Sequence, residues 1–183
     1  MISTLRPAEE DASMTLDVRE MELAETSLVI DYFYSSSIEQ LDLMGIDPTR
    51  MPTKPVWAGL FKTLYDTPII ERAALLLIWR LDGRPIGFSS CDRIVFGNRA
   101  HVHLHITEPE LRSRGLGTEC ISRSIDLYFD RLRLKRLFCE PNAYNTAPNR
   151  TLQKAGFRYL KTYKTVPGPM NYHQAVTRWM FER

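Results

Sequence analysis

Apolar residues recur along this chain with two different periods, and these periods predict its helices and strands. Beyond Leu116, the residues Ile121, Ile125, Tyr128 and Leu132 have the spacing of one buried helix face. The run 73–81 is apolar at nearly every position, as in a strand buried on both faces. By these criteria we predict helices over 25–34, 38–44, 56–65, 149–155 and from Leu116, and strands over 17–23, 73–81, 84–96, 100–107, 136–140, 157–164 and 175–181.

Turn signals connect the central strands. Asp82-Gly83 and Gly97-Asn98 are the dipeptides expected at tight hairpins, so the strands on either side of them should form an antiparallel meander. Later strands alternate with helices, and the chain has no internal repeat or linker composition. We therefore predict an α+β fold, with a mixed, largely antiparallel sheet flanked by helices, in a single domain over residues 1–183.

Composition and charge narrow the possible partners. The 24 Lys and Arg residues nearly balance the 22 Asp and Glu residues, so no basic excess favours nucleic acid. Residues 1–11 lack a secretory signal pattern, and the longest apolar run, 73–79, is too short to span a membrane. Three widely spaced cysteines indicate unpaired thiols in a reducing compartment. We expect a cytoplasmic monomer or homodimer that binds neither nucleic acid nor membrane.

A glycine motif lies between the strand over 100–107 and the helix from Leu116. Residues 112–117 read Arg-x-x-Gly-x-Gly. Glycines allow backbone amides to converge on one point, and a helix that begins there adds unpaired amides and the positive end of its dipole. This arrangement favours a phosphate group. The alternative is an ordinary strand-to-helix turn.

A second block, residues 145–157, follows at a characteristic separation and runs from Asn145 to Gly156-Phe157. In order and spacing, the two blocks resemble the general N-acetyltransferase (GNAT) superfamily. The resemblance implies a sheet splayed between the fourth and fifth strands, acetyl-CoA as co-substrate, and direct acyl transfer to an amine without a metal. It implies cofactor contacts from His105, Ile106, Thr107, Arg112, Ser113, Arg114, Gly115, Leu116, Gly117, Thr118 and Asn145, with the pyrophosphate on the glycine-loop amides. A loop or capping role is the alternative for Asn145.

Three histidines alternate with aliphatic residues in the strand over 100–107. Strand periodicity places His101, His103 and His105 on one face, and the reference pKa of histidine, ~6.5, suits a general base at neutral pH. The run resembles the paired-histidine strand of the aralkylamine N-acetyltransferase branch, which implies that His103 is the base or water relay and that His101 assists. A zinc site and a merely solvated polar face are the alternatives, and Glu108 is a reserve base.

The general acid and the acceptor are less constrained. The family's usual tyrosine position holds Leu152 here, and the serine of a related branch is replaced by Pro148, so Tyr144, Thr146 or water could protonate the thiolate. The variable segments 35–56 and 166–174 should hold the acceptor, a small-molecule amine, an antibiotic amino group or a peptide N-terminus. A non-catalytic acyl-CoA-binding module is the alternative function.

Overall fold

The computed structural model describes residues 14–183. The stretch 1–11, in which we looked for a signal sequence, lies outside the described residues. Within 14–183, the strands are β1 (Leu16–Glu20), β2 (Ala74–Leu81), β3 (Arg84–Val95), β4 (Arg99–Ile106), β5 (Arg136–Cys139), β6 (Arg158–Thr165) and β7 (Gln174–Glu182). The α-helices are α1 (Ser27–Ser35), α2 (Ile38–Leu43), α3 (Lys54–Asp66), α4 (Leu116–Leu132) and α5 (Thr146–Lys154). None of these helices is long and apolar enough to cross a bilayer.

The strands form one seven-stranded sheet in the order β1-β2-β3-β4-β5-β7-β6. Neighbouring strands are antiparallel except β4 and β5, which are parallel and are connected through α4. Asp82 and Gly83 both adopt positive φ between β2 and β3, as a tight hairpin requires. The predicted α+β fold with a mixed, largely antiparallel sheet is confirmed.

Helices cover the two faces of the sheet unequally. α4 packs on one face through a cluster that includes Ile121, Tyr128 and Leu132. A buried hydrogen bond also joins α4 to the sheet, since Trp79 Nε1 of β2 donates to Ser124 Oγ of α4 over 2.9 Å. On the other face, α1 and α3 form a second apolar cluster over β2 and β3. The half of that face formed by β5, β6 and β7 contributes no residue to the second cluster.

Some predicted boundaries are wrong at the ends of elements. The helix expected over 149–155 begins three residues earlier, at Thr146, because Pro148 lies in its first turn, where a missing N–H costs no intrahelical hydrogen bond. The strand expected over 17–23 ends at Glu20. A short 3₁₀ turn follows, in which Glu22 and Glu25 form a capping box.

Candidate active site

The fourth and fifth strands separate after a short parallel contact. Register pairs join residues 99–101 of β4 to residues 136–138 of β5. Beyond His101, β4 continues to Ile106, whereas β5 ends at Cys139. The last part of β4 is therefore an unpaired edge on its β5 side, and the predicted splay is confirmed. An exposed strand edge presents backbone donors and acceptors to any extended ligand.

Hydrogen bonding identifies which residues of β4 face this gap. Thr107 N donates to Ile86 O on the β3 side over 3.0 Å. Because backbone groups alternate between the two sides of a strand, the amides of Leu104 and Ile106 face the gap and that of His105 faces β3. Of the predicted segment 105–107, only Ile106 presents its backbone groups to the gap. Leu104, which the sequence motif did not single out, presents its own there as well.

The glycine motif forms an open turn at the start of α4. Ser113 and Gly115 have φ of 62° and 83°, and Gly115 precedes the helix without a side-chain cap. In residues 14–183, no backbone acceptor engages the amides of residues 113–117. A Cβ on Gly115 would meet nothing within 4 Å, so glycine is favoured there by its backbone conformation and not by crowding. These free amides fit a phosphate group.

The motif predicts that Arg112 contacts the cofactor, but the guanidinium of Arg112 forms hydrogen bonds within the protein. Its guanidinium donates to Ile106 O over 3.1 and 3.3 Å and to Gln40 Oε1 over 2.9 Å. The side chain therefore links the glycine turn to the end of β4 and to α2. This contact fixes the free amides relative to the unpaired strand edge.

Residues of the second block flank the same gap. Asn145 precedes α5, but its side chain forms no capping hydrogen bond, so the capping alternative is not supported. Leu152 is fully buried in the core, and Tyr144 is 80% exposed. A buried leucine occupies the place where a tyrosine acid would be expected. No acid candidate is brought into the gap by these contacts.

The three histidines share a face of β4 but have different surroundings. His103 Nε2 lies 3.3 Å from Asp92 Oδ1, on the neighbouring strand β3. Burial alone would raise the pKa of Asp92, but hydrogen bonding to His103 and the charges of His103 and Arg93 lower it to about 2. Asp92 is therefore ionised at neutral pH and can orient the imidazole of His103.

His101 belongs to a more enclosed network around Glu140. Its Nδ1 is 3.8 Å from Glu140 Oε2 and has no hydrogen-bond partner in the described chain. Glu140 accepts from Tyr163 Oη and from Arg178 Nε over 2.5 Å each. Burial, followed by the charge of Arg93, lowers the pKa of His101 to about 4, so this imidazole is neutral at pH 7.

His105 lies among aromatic rings. Its ring centroid is 5.2 Å from Tyr32, 5.3 Å from Phe33 and 4.9 Å from Phe88. Burial, followed by the charge of His103, lowers the pKa of His105 to about 3. An uncharged imidazole in an aromatic enclosure is suited to packing and not to proton transfer.

The two variable segments expected to hold the acceptor are joined to each other. Ile46 and Asn171 form an antiparallel bridge, and Asp47 N donates to Met170 O over 2.8 Å. Gln174 Nε2 donates to Gly45 O over 2.9 Å. We call residues 44–50 and 166–173 together the cover. It connects α2 to the sheet across the face that carries the histidines.

Two carboxylates of this site were missed by the sequence reasoning. Asp92 directly follows the buried stretch of β3, and Glu140 directly follows a short apolar strand. A charged residue on the inner side of a strand was the available signal. Glu108, the reserve base, pairs instead with Arg84 over 3.1 Å. Within residues 14–183, no group of three or more acidic, His or Cys side chains could hold a metal ion.

An unpaired strand edge beside a turn of free amides is suited to a long ligand with a phosphate group at one end and an extended arm. Comparison with known families agrees with this geometry. The model of the Acetyltransferase (GNAT) family matches residues 43–157. The chain therefore belongs to this family of acetyltransferases. The predicted co-substrate, acetyl-CoA, is confirmed. No curated protein sequence matches the chain.

Solved structures share the fold at low sequence identity. A ribosomal alpha-N-protein acetyltransferase in complex with coenzyme A has TM-score 0.72 and 14% identity, over 92% of this chain and 94% of that one. A spermidine N-acetyltransferase from Vibrio cholerae, with coenzyme A and spermine, has TM-score 0.68 and 17% identity over 91% and 95%. An aminoglycoside acetyltransferase with coenzyme A and kanamycin has TM-score 0.67 and 15% identity over 92% and 95%.

Proposed function

We propose that this protein transfers an acetyl group from acetyl-CoA directly to a primary amine of a small molecule or a peptide N-terminus. The observation that carries the proposal is the unpaired edge of β4. This edge begins beyond His101, runs past His103, the candidate base, and ends beside the free amides of the glycine turn. The neighbours' titles name an aminoglycoside, spermidine and a ribosomal protein, which supports an amine acceptor without selecting one.

Cofactor binding is assigned to backbone groups in this proposal. The amides of Ser113, Arg114, Gly115, Leu116 and Gly117 hold the pyrophosphate, and the arm pairs with the gap-facing groups of Leu104 and Ile106. The Thr118 amide, which the motif included, already donates to Gly115 O over 3.0 Å. Arg112 fixes the glycine turn through its hydrogen bonds to Ile106 O and Gln40. Asn145, whose side chain caps no helix, contacts the arm from the other side of the gap. Acetyl-CoA supplies an activated thioester. The residues of this chain position the thioester and the amine and transfer the proton.

His103 is the proposed base. Its Nε2 faces Asp92, so Nδ1 is left to accept a proton from the acceptor amine, directly or through water. The new N–C bond forms as the C–S bond breaks, and the thiolate then takes up a proton. The Ile106 amide, which faces the gap, is the candidate donor to the developing oxyanion. His101 assists through the polar network of Glu140, in keeping with the resemblance to the aralkylamine branch.

The test measures coenzyme A release and the mass of the acetylated product over a panel of primary amines. Replacing His103 with alanine should lower kcat by about 10²- to 10⁴-fold, the usual contribution of a general base, while the Kd for coenzyme A stays unchanged. Lys164→Ala is the control, because Lys164 is exposed on β6 and lies outside the segments expected to hold the acceptor. Unchanged turnover in His103→Ala would remove the base assignment.

A non-catalytic acyl-CoA-binding module is the second candidate, and the buried Leu152 favours it, since it removes the family's usual acid. Thiolate is a tolerable leaving group, so the missing acid weakens one role and not the whole reaction. Tight coenzyme A binding without acetylation of any amine in the panel would decide for the module.

A further inference from the structure

A recess of 280 Å³ lies on the helix-free part of the sheet, next to the histidine face. It is lined by Arg99, His101, Phe138 and Arg178. Two aromatic rings form the floor of the recess: those of His101 and Phe138, whose centroids are 5.4 Å apart and whose planes are tilted by 32°. The Arg178 guanidinium lies 5.7 Å from the Phe138 centroid. The recess is large enough for a carboxylate with part of the group that carries it.

The arginines retain donors for a ligand. Arg178 donates to Glu140 through Nε, and neither of its terminal nitrogens donates a hydrogen bond within residues 14–183. Arg99 is exposed and has no such partner in the same part of the chain. Guanidinium groups match a carboxylate through paired N–H donors, and their stacking on aromatic rings leaves these donors free.

The local charge balance is positive. The carboxylates near the recess are Asp92 and Glu140, and each already has cationic or hydrogen-bonding partners. Arg93, Arg99 and Arg178 supply three positive charges against these two negative ones, and His101 is neutral at pH 7. In strand register, Arg136 lies beside Arg99 and Glu182 lies beside Arg136, which adds one charge of each sign and leaves this balance unchanged. One positive charge, that of Arg99, is left without a counter-charge.

The recess lies at a defined distance from the proposed base. His101 is two residues from His103 along β4 and Arg99 is four, which corresponds to about 7–13 Å at the rise of a strand. An extended peptide advances about 3.3–3.6 Å per residue, so this distance spans roughly two to four residues. A free α-amino acid is too short to reach both points.

We infer that the recess is an acceptor subsite for a carboxylate, and that the acceptor is a short peptide-like amine with an acidic group two to four residues from its amino group. The inference rests on the proposed acetyltransferase function and narrows its substrate class. A polyamine would meet the unbalanced positive charge of Arg99 and should be a poor acceptor. Arg99 and Arg178 would bind the carboxylate, and Phe138 would contact the apolar part of the acidic group.

The experiment compares amidated tripeptides that differ in one group. The Ala-Ala-Asp amide should be acetylated with a kcat/KM about 10- to 100-fold above the Ala-Ala-Asn amide, as expected for charge-assisted hydrogen bonds. Placing Asp first should abolish the gain, because the carboxylate is then too near the amine. Ala-Ala-Ala with a free C-terminus, compared with its amide, tells whether a terminal carboxylate serves as well as a side chain.

The variants test the arginine. Arg99→Gln should remove the preference for Asp over Asn and leave the Asn peptide nearly unaffected. Lys164→Gln is the matched control, since Lys164 is an exposed cation of β6 and its loss changes the net charge equally. Equal kcat/KM for both peptides in the wild type, or a preference that survives in Arg99→Gln, would overturn the inference and leave the acetyltransferase function standing.

A different result separates the two proposals. If amines of the panel are acetylated but none of the peptides is, the inference fails and the proposed function stands. If neither the peptides nor any amine of the panel is acetylated although coenzyme A binds, the proposed function fails, and NMR titration of the same peptides then decides the inference. Binding of the Asp peptide that weakens about 10- to 100-fold in Arg99→Gln supports the subsite. Equal affinity for the Asp and Asn peptides, or no binding of either, contradicts it.

Discussion

At the scale of single residues, two carboxylates separate the roles of histidines that look equivalent in the sequence. Asp92 Oδ1 lies 3.3 Å from His103 Nε2. Glu140 accepts hydrogen bonds from Tyr163 and Arg178, and its Oε2 is 3.8 Å from His101 Nδ1. One imidazole is therefore oriented by a carboxylate, and the other is enclosed without a hydrogen bond at Nδ1. This difference favours His103 over His101 as the base.

Gly115 allows the phosphate assignment to be tested. Gly115→Asp places a carboxylate beside the free amides, where it would repel a pyrophosphate. We expect the Kd for coenzyme A to rise about 10-fold or more, measured by calorimetric titration.

The hairpin residue Gly97 provides the control. Its φ is 74°, close to the 83° of Gly115, and a Cβ on either would meet nothing within 4 Å. Gly97→Asp should therefore cost a similar amount of stability, about 1 kcal/mol, without weakening coenzyme A binding. An unaltered Kd in Gly115→Asp would contradict the position assigned to the phosphate.

At the scale of elements, the cover depends on a close contact between Gly45 and β7. A Cβ on Gly45 would lie 1.9–2.2 Å from the side-chain amide atoms of Gln174. Gly45→Ala should displace this amide from Gly45 O and add backbone strain at φ +70°. We expect a loss of about 2–4 kcal/mol in the free energy of unfolding, measured by urea denaturation.

Gly83→Ala is the matched control for the cover. Its φ of 79° imposes comparable backbone strain, but the nearest atom to an added Cβ is the flexible Arg80 Nη2 at 3.7 Å. This variant should lose only about 1 kcal/mol. Equal losses in the two variants would show that the contact with Gln174 does not stabilise the cover.

At the scale of the whole molecule, two buried histidines make stability depend on pH. Their pKa values fall on folding from 6.5 to about 4 for His101 and about 3 for His105. Between these values and 6.5, the unfolded chain binds more protons, so acidification favours unfolding. Each histidine should contribute a slope of up to about 1.4 kcal/mol per pH unit in this window.

His105→Phe should reduce that slope between pH 6 and 4, because phenylalanine fits an aromatic enclosure and cannot bind a proton. Urea denaturation at several pH values measures it. His173→Gln, at an exposed position, should leave the slope close to that of the wild type. A slope that is identical in His105→Phe and the wild type would show that His105 does not lose its proton on folding.

The sequence by itself determined the order of elements, the hairpins, the open turn of Gly115 and the family, because periodicity, turn chemistry and local motifs act over a few neighbouring residues. Only the tertiary structure decided which backbone groups of β4 face the gap and that Asp92 meets His103. It also brought Arg99 and Arg178 together around Phe138. These contacts join residues far apart in the chain, and strand register and the separation of β4 from β5 create them.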